Sequence, residues 1–210
     1  MKAGPEAPVP LHQPEEEAAS DRRLGEAVRL LRQRRGLSIQ ELGRRTGLSA
    51  GMISQLERGL ATPSVRSLRM LSLALQVPVS FFFEERPAAA APGRYIVRRG
   101  QRRVLRLTPS GVLKEALAPS GPGQMEIYEL TLSPGGSSGA DFFRHQGEKA
   151  GYVLSGTLRL WLEQEAHLLE AGDTFRFPSA VPHMFDNPGE VPARVVWITL
   201  RSDPPADPPP

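Results

Sequence analysis

Side chains equipped for covalent or acid–base chemistry are few in this chain. Cysteine is absent, which removes disulfides, thiolate metal sites and thiol nucleophiles. Among the four histidines, His12 and His167 fall in tail and strand contexts, and no Gly-x-Ser-x-Gly supplies a serine nucleophile. His145 and His183 alone make a poor metal site, because zinc or iron usually takes three protein ligands. No nucleophile–base pair stands out, so the residues do not suggest an enzyme. The stronger chemical signal is ionic. Residues 21–83 carry eleven arginines against four acids, although the whole chain is only +3. Such a local excess is the footprint of a phosphate-binding surface.

Within that basic region, residues 38–59 read as two short helices joined by a tight glycine turn, with arginines on the outer face. Leu42, Thr46, Ile53 and Leu56 have the spacing of contacts buried between two such helices. Gly43 sits where the chains must approach closely, and Gly47 where the turn needs a positive φ. Ser38 and Ser49 are placed to cap the two helix N-termini. That leaves the second helix, about residues 49–58, free to enter a DNA major groove.

Other elements must hold this pair in place. A helix over about residues 21–35 presents Leu24, Val28 and Leu31 on one face and is stopped by Gly36. Another over about residues 64–76 turns Leu68, Leu71 and Leu75 inward, and Val79–Phe83 suggests a short fifth helix. Phe81, Phe82 and Phe83 read as core and inter-domain packing. Beyond a Pro/Ala-rich linker at 84–93, the period changes to short alternating runs from Tyr95-Ile-Val to Ala193–Leu200, punctuated by Gly, Pro and Asn. That pattern predicts an all-β barrel or jelly roll. The fold class expected is therefore α + β in two domains, a five-helix DNA-binding domain (21–83) followed by a β domain (94–200). Disordered tails are expected at 1–20 and 201–210. Six arginines between Arg94 and Arg106 suggest the solvated face of an edge strand or a second DNA contact. No signal-peptide pattern or membrane-length apolar run is visible, so a cytoplasmic location is expected.

The 38–59 stretch, including Ile53-Ser54-Gln55-Leu56-Glu57-Arg58-Gly59, resembles the helix-turn-helix of the phage-repressor or XRE family. The resemblance places Ala50, Gly51, Ser54 and Gln55 near base edges, and Ser38, Arg44, Arg45 and Arg58 towards phosphates, with Ser49 opening the reading helix. Gln55 is the best direct reader, since an amide can pair with adenine N6 and N7.

Farther on, Gly172 to Asn187, through Pro178 and His183, resembles the second cupin motif, with Ala180 replacing an inner glycine. Phe143-Arg-His145-Gln-Gly-Glu148-Lys149 followed by Tyr152–Gly156 resembles the first. Cupin metal ligands are three histidines and a glutamate, and the corresponding positions here hold Phe143, His145, His183 and, for the glutamate, Lys149. A phenyl ring cannot ligate a metal, and an ammonium repels one. Positions 143, 145 and 149 share strand parity and face the barrel interior; Glu148 has the opposite parity. The expectation is no cofactor, with His145 and His183 as pocket or core histidines held by hydrogen bonds; alternatively a pocket of Phe143, His145, Lys149 and His183 takes a small anion, with Lys149 as its charge partner. A metal site, if one exists, would use His145, Glu148 and His183, with a bulge near Gly147 turning Glu148 inward.

Bacterial regulators joining such a helix-turn-helix to a C-terminal cupin form a recognised group. The resemblance implies a dimeric, sequence-specific transcriptional regulator, a repressor by preference, whose partners are a double-stranded operator, a second copy and an unidentified effector. The alternatives are a metal-dependent cupin enzyme tethered to DNA and a regulator with an inert cupin scaffold.

Overall fold

The computed structural model describes residues 14–83, 95–119 and 123–202. Four α-helices come first: α1 (Pro14–Arg34), α2 (Ile39–Thr46), α3 (Ala50–Glu57) and α4 (Val65–Ala74). Leu24, Val28, Leu31, Leu42, Thr46, Ile53, Leu56, Leu68, Leu71 and Leu75 are all buried, as the spacing requires. Fully burying each of the larger aliphatics contributes roughly 1.5–3 kcal/mol, so this set is what holds four short helices together. Ser38, Ser49 and Ser64 accept hydrogen bonds from the backbone N–H groups of Glu41, Met52 and Ser67, capping α2, α3 and α4.

Two expectations are corrected in this half. The fifth helix is one turn of 3-10 helix, Val79–Phe82, because Pro78 opens it and only four residues follow before the chain extends at Phe83. Helix α1 starts at Pro14, so residues 14–20 extend the helix instead of forming part of a disordered tail. Residues 1–13, the linker at 84–93 and residues 203–210 lie outside the described residues. Of the three phenylalanines, Phe82 and Phe83 are buried but Phe81 is largely exposed.

Among the described residues, nine strands form the second half: β1 (Val104–Leu107), β2 (Val112–Ala116), β3 (Met125–Leu132), β4 (Glu148–Ser155), β5 (Leu158–Leu162), β6 (Glu165–Leu169), β7 (Thr174–Pro178), β8 (His183–Asp186) and β9 (Ala193–Leu200). They pair antiparallel in a six-stranded sheet, β1-β2-β3-β9-β4-β7, and a three-stranded sheet, β6-β5-β8. Among the described residues the ladders do not close into a barrel. Isolated bridges, Ser137 to Asp186 and Phe143 to His183, tie the β3–β4 connection to β8. Tyr95–Val97 is not a strand, and among the described arginines of the run Arg106 alone lies on the edge strand β1, with Arg98 and Arg99 exposed ahead of it. Arg102 pairs with Glu129 at 3.2 Å, and Arg103 donates to the Ser80 carbonyl at 2.7 Å.

The helical half docks on the six-stranded sheet. The Arg66 N–H donates to the Ser138 carbonyl at 3.0 Å, and Phe83 stacks on Tyr128 with ring centroids 5.2 Å apart.

A candidate nucleic-acid interface and a buried cationic pocket

Helix α3 is held by one side and leaves the other to solvent. Ile53, Leu56 and Glu57 are buried, whereas Ala50, Gly51, Gln55 and Arg58 are exposed and Ser54 is half-exposed. Glu57 forms a two-pronged pair with Arg32 of α1, Nη2 lying 2.9 Å from Oε2, and Arg32 also donates to the Leu37 carbonyl at 2.8 Å. Gly47 adopts φ 72°, and a Cβ at Gly43 would come within 2.7 Å of the Leu48 carbonyl. Both glycines are therefore required where the turn brings α2 and α3 together.

The expected phosphate-facing groups are exposed but engaged. Arg44 meets Glu41 through Nε and Nη2 at 3.0 and 2.8 Å, and Arg45 through Nε at 2.7 Å. These two hydrogen-bonded arginines hold the Glu41 carboxyl at about 2. Arg58 Nε donates to the Ser54 carbonyl at 3.2 Å. Solvent-exposed pairs of this kind contribute little, so a phosphate can take over either guanidinium at small cost.

The second constellation lies between the domains. Phe143, His145, Lys149 and His183 come together as the motifs imply, each at least nine-tenths buried. Their ring centroids set the scale: Phe143 to His183 is 4.3 Å and His145 to His183 is 5.8 Å. His183 Nδ1 lies 2.7 Å from the Val181 carbonyl, which places its proton there and leaves Nε2 to accept from Lys149 Nζ at 2.6 Å. Glu148 turns outward and pairs with Arg176 at 2.8 and 3.1 Å. The expected bulge near Gly147 does not form: Glu148 pairs in register with Pro178 and Leu200. Among the described residues, no group of three or more His, Asp or Glu is placed to hold a metal ion. The donor set itself does not suit a divalent cation, because Lys149 occupies the one free lone pair of His183.

Sequence reasoning missed half of the pocket. Arg69 of α4, Lys114 of β2, and Glu126 and Tyr128 of β3 line the same cavity. Lys114 and Glu126 were legible in principle, since each breaks an alternating apolar face (Val112, Ala116; Tyr128, Leu130). Arg69 carried no such signal. The pocket thus collects three basic side chains against one carboxylate. Burial pushes the Lys114 ammonium down to about 8, opposed by Glu126. Burial, then Arg69 and Lys114, pushes Lys149 well below the ordinary lysine range. Burial together with Lys149 lowers His145 to about 2 and His183 to about 3, so both rings are neutral.

Comparison with known proteins covers both halves of the chain. A helix-turn-helix family matches residues 28–82 and a cupin-domain family matches residues 128–199. The HTH-type transcriptional regulator PuuR of Escherichia coli (strain K12) is 29% identical over 172 residues, covering 80% of this chain and 90% of its own. The regulator SutR of the same organism is 29% identical over 168 residues, covering 80% and 88%. The crystal structure of an HTH_3 family transcriptional regulator from Vibrio cholerae superposes with a TM-score of 0.68 at 21% identity, covering 89% of this chain and 99% of that one. The chain thus carries an XRE-type helix-turn-helix domain followed by a C-terminal cupin domain, the make-up of a DNA-binding transcriptional regulator.

Proposed function

We propose that this protein represses transcription as a homodimer, reading a pseudo-palindromic operator through α3 and answering to a small anion held in its cupin pocket. The observation that carries the reading is the division of α3 into a locked face (Ile53, Leu56, Glu57) and an exposed one (Ala50, Gly51, Gln55) on the basic half of the chain. The cation-rich pocket supports an anionic effector, and its donor set argues against a resident metal and against metal-dependent catalysis. Tyr152 and Leu154 project from β4 as exposed apolar side chains and offer a dimer face on the cupin half. No described helix is long and apolar enough to cross a membrane; the cytoplasm, where DNA is reached, is the proposed location. The test is fluorescence anisotropy on duplexes selected from a random pool. Binding should fall steeply with salt, and Gln55→Ala should cost roughly 1–3 kcal/mol at one base position. A variant that binds selected and random duplexes as wild type does would remove α3 from the reading role.

A further inference from the structure

Arg69 belongs to the DNA-binding half, yet its guanidinium is buried in the cupin pocket, 7% exposed. Among the described residues it meets no carboxylate at hydrogen-bond distance there. Nη2 lies 3.1 Å from His145 Nδ1, and Nε is buried with no partner.

The contact to His145 cannot be fully satisfied. The same Nδ1 lies 2.7 Å from the Gln146 carbonyl oxygen, an acceptor. A proton on Nδ1 serves Gln146 but confronts the arginine donor. A proton on Nε2 lets Nδ1 accept from Arg69, but then Nδ1 meets the carbonyl lone pair, and Nε2–H is itself buried with no partner. An imidazolium is excluded by burial beside two cations. One acceptor is missing from this cluster, and it is missing at Arg69.

The cavity at this point measures about 30 Å³. It accommodates about two water-sized groups, the two oxygens of a carboxylate. Helix α4 already rests on the cupin half through the Arg66 N–H, and Gly139 at φ 124° lets Ser64 approach so closely that a Cβ would lie 3.1 Å from its Oγ.

We infer that a small oxyanion group binds between Arg69 of α4 and Lys149 of β4, supplies the missing acceptor, and clamps the DNA-binding half onto the cupin half. This rests on the anion-site reading of the pocket. Once Arg69 donates to the anion, His145 Nδ1–H donates to Gln146 and the conflict ends. Because α4 packs against α2, which carries the turn into α3, clamping α4 fixes the reading helix relative to the cupin domain. Occupancy and DNA affinity are then thermodynamically linked in both directions.

The test uses the full-length protein with inorganic phosphate, sulfate and succinate as probes at constant ionic strength, read by isothermal titration calorimetry, together with anisotropy on a selected duplex. At least one probe should bind wild type, and R69M and K149M should each weaken it tenfold or more. Saturating that probe should change wild-type DNA affinity fivefold or more, and R69M should lose this response. R69K keeps the charge without the fork and should bind at intermediate strength. If K149M loses the probe while R69M binds it as wild type does, the anion site stands and the clamp falls. If none of the three probes binds wild type, the anion reading itself falls. Probe binding without any change in DNA affinity overturns the clamp alone, as would R69K matching wild type in every readout while R69M fails to fold.

Discussion

Arg32 and Glu57, 25 residues apart in sequence, form a part-buried two-pronged ion pair that ties α1 to the last turn of α3. The glutamate of the Ile-Ser-x-Leu-Glu-x-Gly stretch therefore faces into the protein and sets the angle at which α3 leaves the domain. Bidentate geometry, with the further bond from Arg32 to Leu37, makes this pair one that is worse broken than absent.

Removing one partner should show this. Glu57→Ala leaves Arg32 without its carboxylate and is expected to destabilise the helical half by about 1.5–3 kcal/mol. The double variant Arg32→Met, Glu57→Leu should recover a large part of that loss, because it leaves no orphaned charge. Urea melts of the full-length proteins decide. A single variant as stable as wild type would show that the pair does not hold α3.

Gly25 is a second fixed point between the same helices. Glycine-to-alanine in a helix interior normally stabilises by roughly 1 kcal/mol. At Gly25, however, a Cβ would lie 2.2 Å from the Leu56 carbonyl oxygen, a backbone atom that cannot swing away. The clash should win. Gly25→Ala is expected to destabilise by about 1–3 kcal/mol and to weaken DNA binding by tilting α3. Gly51 is the control on the reading helix itself, since nothing but Ser49 Oγ lies within 4 Å of its would-be Cβ. Gly51→Ala should raise stability by about 0.5–1 kcal/mol while altering base contact. Thermal melts with equal shifts for the two variants would contradict this placement.

The sequence made the helix-turn-helix legible residue by residue because its signals are local. Caps at Ser38 and Ser49, the turn at Gly47 and the buried spacing of Leu42, Ile53 and Leu56 all act within one or two turns. The same holds for the inward parity of His145 and Lys149 against the outward Glu148. Arg69 was illegible because α4's own pattern assigns its inward face to Leu68, Leu71 and Leu75. Only the docking of α4 on the β domain gives Arg69 something to be buried against. The fifth helix and the closed barrel failed for a related reason. Four residues after Pro78 carry apolar content but too few backbone hydrogen bonds for an α-helix, and alternation specifies strands without specifying whether their sheets meet.

The two pocket histidines should make stability fall on mild acidification. Burial first, then the Lys149 charge, holds both rings neutral down to about 2 for His145 and about 3 for His183. An unfolded histidine takes up a proton near 6.5. Between those limits the unfolded chain binds protons that the folded chain refuses, so stability is full above pH 6.5 and lost as the pH drops below it. Each ring should contribute a loss of about 1–2 kcal/mol between pH 6.5 and 5, a range in which most carboxylates stay ionised. His145→Gln should flatten the slope by about half. A wild-type stability that is level across that range would mean that the rings are protonated in place.

Lys149→Glu should reverse the preference of the pocket. Lys149 Nζ sits 2.6 Å from His183 Nε2, blocking the lone pair that a metal would need, and its positive charge adds to those of Arg69 and Lys114. A glutamate there would release His183 Nε2 and join His145 and His183 as a third donor with negative charge. Oxyanion binding should then fall tenfold or more, while zinc or iron(II) uptake by the untagged protein, measured by elemental analysis after dialysis, should rise from trace towards stoichiometric. Phe143 stays in the shell, so the site would be weaker than a four-ligand one, and Phe143→His added to Lys149→Glu should tighten it further. Near-stoichiometric metal in the wild-type protein would contradict the argument at its root, because Lys149 would then have to be neutral and turned away from His183.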